Sequence, residues 1–260
     1  MIFEESARQA NEAVEAAYDE ARRRNERRKF FTFYQDDGPL ARHLYPKHLE
    51  FFAAGAHYRE RCFMAANRVG KTEGGGGYEI TCHLTSLYPH WWEGRVWDRP
   101  TMCWAAGKTN ETTRDIIQRK LLGKIVGAGT SNKGVDGTGL ILGDHLGRPT
   151  WKQNVADFVD TIPVWHAASQ RWSTLGFKSY QQGRGSFEGT EQDVIWLDEE
   201  CPADIYGECL IRTAGVVGVS GSGGVVILTY TPLDGLTEVT LSFMPGEVQP
   251  GADDVFTSAG

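Results

Sequence analysis

Two uninterrupted apolar runs, DVIWLDEE (193–200) and GGVVILTYTP (223–232), constrain the fold of this chain more than any other feature. A strand with one wet face alternates apolar and polar residues, whereas a continuous run needs cover on both faces, which a parallel sheet crossed over by helices supplies. Shorter runs of the same kind, ERCFMAA (60–66) and TMCWAAG (101–107), predict two more strands, and FVDTIPVWHA (158–167) and WSTLGFKSY (172–180) alternate as strands do. Helical spacing is expected over 48–57, over 111–122 with Ile116, Ile117, Leu121 and Leu122 on one side, and near 204–214. Strands alternating with helices predict an α/β fold with a mostly parallel central sheet. The glycine-rich stretch 123–149 reads as a loop or a small excursion from the core.

The chain's 260 residues, 40% hydrophobic and 23% charged, suit one large domain with a small appendage. Residues 3–29 lack Gly and Pro and place Ala7, Ala10, Val14 and Ala17 on one helical face, predicting an N-terminal helix. That helix ends in a basic run, Arg22, Arg23, Arg24, Arg27, Arg28 and Lys29, which either complements the helix dipole or contacts DNA or a partner. A net charge of −7 argues against a chain that coats nucleic acid all over its surface. No stretch approaches about 18 consecutive apolar residues, so neither a membrane span nor a signal peptide is expected, and a soluble, intracellular protein is. Five scattered cysteines without a C-x-x-C pair read as buried free thiols.

Chemistry is carried by AANRVGKTEGGGG (65–77), directly after the 60–66 strand. A phosphate-binding loop needs a strand, a turn whose N–H groups face phosphate oxygens, a Lys for the outer phosphates and a Ser or Thr hydroxyl for Mg²⁺. Ala66, Asn67, Arg68, Val69 and Gly70 would form the turn, Lys71 the cation and Thr72 the hydroxyl, with Ala65 standing where the strict pattern has Gly. The glycines Gly74 to Gly77 fit this scheme poorly, since each costs a helix about 1 kcal/mol relative to Ala. They either permit close packing on a strand or fray the helix start. VIWLDEE then puts Asp198 and Glu199 at the C-terminal end of a buried strand, where open α/β sheets present ligands. Asp198 is expected to hold Mg²⁺ and Glu199 to polarise the attacking water, with Glu200 a bystander or salt-bridge partner. The expected class is a P-loop NTPase (ASCE/RecA-like) that hydrolyses a nucleoside triphosphate, ATP being the nucleotide that the resemblance below implies.

In order, AANRVGKTEG, WAAGKTNETTRDIIQRKLL, SYQQGRGSFEGTEQDVIWLDEECP and LTYTPLDGL resemble the ATPase half of the large terminase subunit of tailed bacteriophages, over roughly residues 40–245. The resemblance implies a motor that packages double-stranded viral DNA into procapsids, with portal protein and the small terminase subunit as partners and a homo-oligomeric ring in the host cytoplasm. It implies that Arg68 contacts phosphate and that Thr229, Thr231 and Pro232 sense the γ-phosphate. Where the family has an adenine-binding Gln, this chain has LYPKHLEFF, so Tyr45 or His48 would stack on or bond the base. It also implies domains at 1–35 (appendage), 36–245 (ATPase) and 246–260, a tail toward a nuclease domain this chain lacks, so no cleavage is expected. Asp253 and Asp254 in the tail read as linker charges.

Arg184, in the flexible QQGRGSFEG, is the candidate charge-stabilising finger, in competition with Arg114, Arg119, Arg148 and Arg171. YPHWWEG (88–94) reads as a core or interface plug, and Trp196 as core. A P-loop phosphotransferase acting on a small molecule and a nucleotide-binding assembly module with little turnover remain as alternatives.

Overall fold

Strand order explains where the chemistry gathers. The structure is a computed structural model that describes residues 14–15, 17–19, 27–130, 132–215, 223–233 and 235–244. In chain order it contains helix α1 (Pro46–Ala54), strand β1 (Glu60–Met64), a π-helical stretch Lys71–Gly77 running into α2 (Tyr78–Thr85), β2 (Met102–Gly107), α3 (Asn110–Thr112), a second π-helical stretch Thr113–Gln118, and α4 (Arg119–Leu122). There follow β3 (Ile125–Val126), β4 (Gly134–Val135), β5 (Thr161–His166), β6 (Arg171–Ser179), β7 (Val194–Asp198), α5 (Ala203–Ala214), β8 (Val225–Tyr230) and α6 (Glu238–Ser242).

The main sheet has the order β1-β8-β7-β2-β6-β5, parallel except for the antiparallel β5 edge. All five parallel strands therefore end on one edge. Register sets Asp198 of β7 beside Thr229 of β8, and Thr229 beside Phe63 of β1, so the phosphate loop leaves the sheet two strands from the acidic pair.

The uninterrupted apolar runs are buried on both faces, as expected. Val194, Trp196, Val225 and Ile227 face a core with α2, α4 and the 113–118 stretch, whereas Ile195, Leu197, Val226 and Leu228 face a second core under α5 and α6. The predicted strands and helices occur with ends shifted by a few residues, as tertiary hydrogen bonds decide them. The helix after β2 starts at a capping box in which Thr109 Oγ1 accepts the Thr112 N–H at 3.1 Å and the Thr109 N–H donates to Thr112 Oγ1 at 3.0 Å.

Two parts differ from expectation. The 123–149 stretch carries the β3–β4 hairpin and buries Leu140 and Ile141 in the first core, so a glycine-rich segment without periodicity still has an apolar anchor. Phe30, Phe33 and Tyr34, assigned from sequence to the appendage, belong to the main core: Phe30 stacks on Tyr78 at 4.5 Å between centroids. The YPHWWEG aromatics join them, with Trp91 stacked on Tyr78 and Trp92 on Phe52. Most of the predicted N-terminal helix, Arg22 to Arg24, and the 246–260 tail with Asp253 and Asp254 lie outside the described residues; 14–15 and 17–19 are helical. The cysteines are free, four of them buried. No helix among the described residues is long and apolar enough to cross a membrane.

Candidate nucleotide site

Backbone geometry makes the loop after β1 a cradle. Ala65 still belongs to the sheet, its N–H donating to the Tyr230 carbonyl at 3.2 Å. An extended residue there needs no positive φ, which explains why Ala replaces the Gly of the strict pattern. The chain then turns through Arg68 and Gly70, both left-handed at φ 68° and 86°. For Arg68 that conformation costs roughly 1–2 kcal/mol. The N–H groups of Gly74 and Gly75 both return to the Gly70 carbonyl, at 2.7 and 3.1 Å, and this wide turn starts the π-helical stretch.

The four glycines face four obstacles. A Cβ on Gly74 would stand 2.8 Å from the Tyr34 hydroxyl, on Gly75 3.1 Å from the Phe63 ring, on Gly76 2.1 Å from the Trp196 indole nitrogen, and on Gly77 3.1 Å from Leu140. Close packing, not fraying, is the reason for the run. The helix loses about 1 kcal/mol per glycine and in return lies directly on aromatic side chains whose loss typically costs about 3–5 kcal/mol each.

Lys71, only 5% exposed, extends its ammonium to Thr231 Oγ1 at 2.6 Å and to the Ala66 carbonyl at 3.4 Å. Thr231 Oγ1 also lies 2.8 Å from the Ala65 carbonyl and 2.9 Å from Asn67 Oδ1, which share its proton. The residue just past β8 is thus bonded to both ends of the phosphate loop. Asp198 is 3% exposed and accepts a hydrogen bond from Thr229 Oγ1 at 2.7 Å, with Thr72 and Lys71 close by. Burial pushes its carboxyl up to about 7; Glu199 adds to the rise, and Thr229, Thr72 and Lys71 oppose it.

Thr229 in turn accepts the Trp196 indole N–H at 2.7 Å. Sequence reading saw Trp196 as core alone. It is fully buried, and it also fixes which way the Thr229 hydroxyl points.

Glu199 is exposed and left-handed at φ 65°. Its N–H donates to the Thr229 carbonyl at 3.0 Å, and the buried Tyr180 hydroxyl lies 2.8 Å from the Asp198 carbonyl and 3.1 Å from that of Glu199. This bracing turns the Glu199 carboxylate out of the sheet, free to face a ligand. Glu200 makes no salt bridge among the described residues: its Oε1 accepts the hydroxyls of Thr237 and, at 2.8 Å, Thr240, tying the β7 end to the start of α6.

Behind the loop, His48 Nε2 lies 3.0 Å from the Val69 carbonyl and Nδ1 2.6 Å from the Tyr34 hydroxyl, which also lies 2.7 Å from the Gly74 carbonyl. A carbonyl only accepts, so Nε2 carries the proton; burial holds the ring neutral, and Nδ1 shares the single Tyr34 proton with the Gly74 carbonyl. His48 is therefore a brace for the loop backbone. Its neighbour Tyr45 lines a cleft of about 820 Å³ with Leu44, Phe51, Met64 and the half-exposed Val69, an apolar slot wide enough for a purine ring.

Arg184 is not brought to this cluster. Its guanidinium donates to Glu208 Oε2 at 2.9 and 3.1 Å, anchoring the 184–187 turn to α5. Of the predicted residues, Lys71 and Thr231 are bonded to each other and to Ala66 and Asn67, while Asp198 is bonded to Thr229 on the next strand, close to Lys71 and Thr72. Tyr34, Tyr180 and the polar role of Trp196 were not read from sequence, because none belongs to a spaced motif.

For Mg²⁺, the donor set is one buried carboxylate and one hydroxyl, both hard oxygens. Among the described residues no group of three or more His, Cys, Asp or Glu could enclose a metal ion. That fits an ion held mainly by water and phosphate, as Mg²⁺ is beside nucleotides.

A glycine-turned loop after the first strand, its lysine bonded to the end of the neighbouring strand and a buried aspartate at the end of the strand beyond, defines a nucleotide-binding α/β protein of the P-loop class. Residues 62–250 match the family model for the N-terminal part of the T4likevirus-type terminase large subunit, and the chain belongs to that family. It is 35% identical over 218 residues to the terminase large subunit of Salmonella phage P22, an alignment covering 77% of this chain and 41% of that protein. The chain thus spans less than half the length of this relative. Among solved structures it is similar to a variant of the large terminase ATPase domain of Thermus phage P74-26, at 15% identity and a TM-score of 0.45 over 76% of this chain and 70% of that one. It is similar also to the large terminase of a thermophilic bacteriophage, at 11% identity and a TM-score of 0.41 over 79% and 38%.

Proposed function

We propose that this chain is the ATPase motor domain of a phage terminase large subunit, hydrolysing ATP with Mg²⁺ to drive double-stranded viral DNA into procapsids. The observation that carries the reading is the convergence of Lys71, Thr72, Asp198 and Thr231 on the C-terminal edge of the sheet. Membership of the terminase family and the P22 relative support the packaging role. Portal protein, the small terminase subunit and a ring of like subunits are the partners this role calls for, in the host cell.

In this reading the N–H groups of residues 66–72 surround the phosphates, with the Lys71 ammonium and the Arg68 guanidinium on their outer oxygens. Lys71 exchanges its bond to Thr231 for one to phosphate, so the hydroxyl past β8 registers whether the site is filled. The base lies in the cleft beside Tyr45, with His48 holding Val69 behind it. Asp198 and Thr72 hold Mg²⁺, which neutralises charge developing on the transferred phosphoryl group. Glu199, aimed outward by its strained backbone, orients and deprotonates the attacking water. Arg184 serves as a finger only if its hold on Glu208 is given up, and the arginine completing the site is as readily one from a neighbouring subunit.

Phosphate release by the purified chain, alone and with duplex DNA, tests the proposal. Lys71→Ala and Glu199→Gln are each expected to lower turnover at least a hundredfold, the second with nucleotide binding retained. Normal hydrolysis by Lys71→Ala rules out the loop assignment. ATP binding without phosphate release under any condition favours the assembly-module alternative.

A further inference from the structure

The basic run that ends at Lys29 reaches the phosphate-loop helix. Lys29 Nζ pairs with Glu73 Oε1, and Lys120 of α4 pairs with Glu73 Oε2 at 2.9 Å. Glu73 follows Thr72 directly and is one-fifth exposed. Two partly exposed ammonium groups thus share a single carboxylate.

Around them is a cleft of about 390 Å³ lined by Lys29, Glu73, Arg119, Lys120, Lys124 and Asp115. Asp115 is already engaged by Arg114 at 2.7 Å, while Arg119 and Lys124 are exposed and make no ion pair among the described residues. Arg27 and Arg28 line an adjoining cleft opposite Asp136 and Asp144, so the surplus of cations lies in the first cleft. On a chain of net charge −7, this face carries a local surplus of cations on flexible stems, which suits a row of phosphates better than a single buried anion.

We propose that the cleft between residues 27–29, α4 and the 124–138 loop receives backbone phosphates of duplex DNA, and that a phosphate there competes with Glu73 for Lys29 and Lys120. Releasing Glu73 frees the residue next to Thr72, which links DNA occupancy to the nucleotide site. The inference rests on the packaging-motor reading for its partner.

Fluorescence anisotropy of a labelled duplex, titrated with the chain over a series of salt concentrations, tests it. Arg119→Gln/Lys124→Gln is expected to weaken binding several-fold and to reduce the slope of log K against log salt by about 2, roughly one for each cation removed from a phosphate, with an unchanged unfolding temperature. Glu73→Gln, which frees both lysines, is expected to tighten DNA binding and to erase the effect of DNA on phosphate release. Wild-type affinity and salt slope in the double variant overturn the surface. Equal competition by polyglutamate of matched charge overturns DNA as the partner. A chain that hydrolyses ATP but binds no duplex ends this inference and leaves the ATPase reading standing, whereas a chain that binds no ATP ends that reading, whatever the duplex does.

Discussion

Asp198 shows how one residue's setting couples chemistry to stability. Its carboxyl, at about 7 against an ordinary 3.8, binds a proton more tightly folded than unfolded. Its stabilising contribution is therefore full below about pH 4 and is lost as pH rises through about 7. Asp198→Asn is expected to raise the stability of the nucleotide-free protein at pH 8 by up to about 4 kcal/mol, and to do almost nothing at pH 4, in denaturant titrations at the two pH values. Mg²⁺-dependent nucleotide affinity should move the opposite way and weaken as pH falls through about 7, since the ion requires the carboxylate. Thr229 tests orientation: Thr229→Val leaves the Trp196 N–H and one Asp198 oxygen unpaired. A loss of about tenfold in Mg²⁺ affinity for the nucleotide complex, restored by Thr229→Ser, is expected, with metal-free nucleotide binding unchanged. Lys71, Thr72 and Asp198 were legible in sequence because spacing and strand-end position name them. Trp196 was half legible: its burial could be read from the apolar run, but its bond to Thr229 depends on a strand pairing that no local pattern states.

Among the elements, the helix after the phosphate loop is tied to β1 by a buried ion pair. Glu79 in α2 accepts from Arg61 of β1 at 2.5 and 3.0 Å and lies 3.2 Å from His83 Nε2, all fully or nearly fully buried. Burial alone would raise the Glu79 carboxyl, yet Arg61 and His83 bring it below its usual range, so the pair is ionic. Glu79→Gln is expected to cost about 3–5 kcal/mol in chemical denaturation, because Arg61 is left charged and dry, whereas replacing both by Met should cost far less. Gly76→Ala places a methyl where the Trp196 indole stands, and a drop in unfolding temperature of several degrees is expected, with Trp196→Phe in the same chain recovering part of it. Strand and helix identities were readable from apolar runs and periodicity. The glycine run was not, because its obstacles, Tyr34, Phe63, Leu140 and Trp196, come from segments on both sides of it, one of them more than a hundred residues downstream.

For the molecule as a whole, the topology gathers the loop ends of five parallel strands on one edge, so ligand binding there should stabilise the fold globally. Mg²⁺ with a non-hydrolysable ATP analogue at a hundred times its dissociation constant is expected to add about 2.7 kcal/mol to wild type and nothing to Lys71→Ala, measured by thermal unfolding. The α/β class and sheet content followed from sequence. The order β1-β8-β7-β2-β6-β5 did not, because which buried strands become neighbours is decided by crossovers that leave no mark on local composition.

The contacts of Tyr34 set the shortest chain that can work. Its ring packs on Tyr78 and Trp91, and its hydroxyl meets both His48 and Gly74, so residues well ahead of the first strand hold the backbone on both flanks of Gly70. A recombinant fragment beginning at residue 36 would expose a hollow lined by aromatic rings and leave His48 without its partner. It would be recovered as aggregated or protease-sensitive material, while one beginning at residue 27 would remain soluble and competent for nucleotide. The folded core therefore begins inside the segment whose composition marks it as an extension.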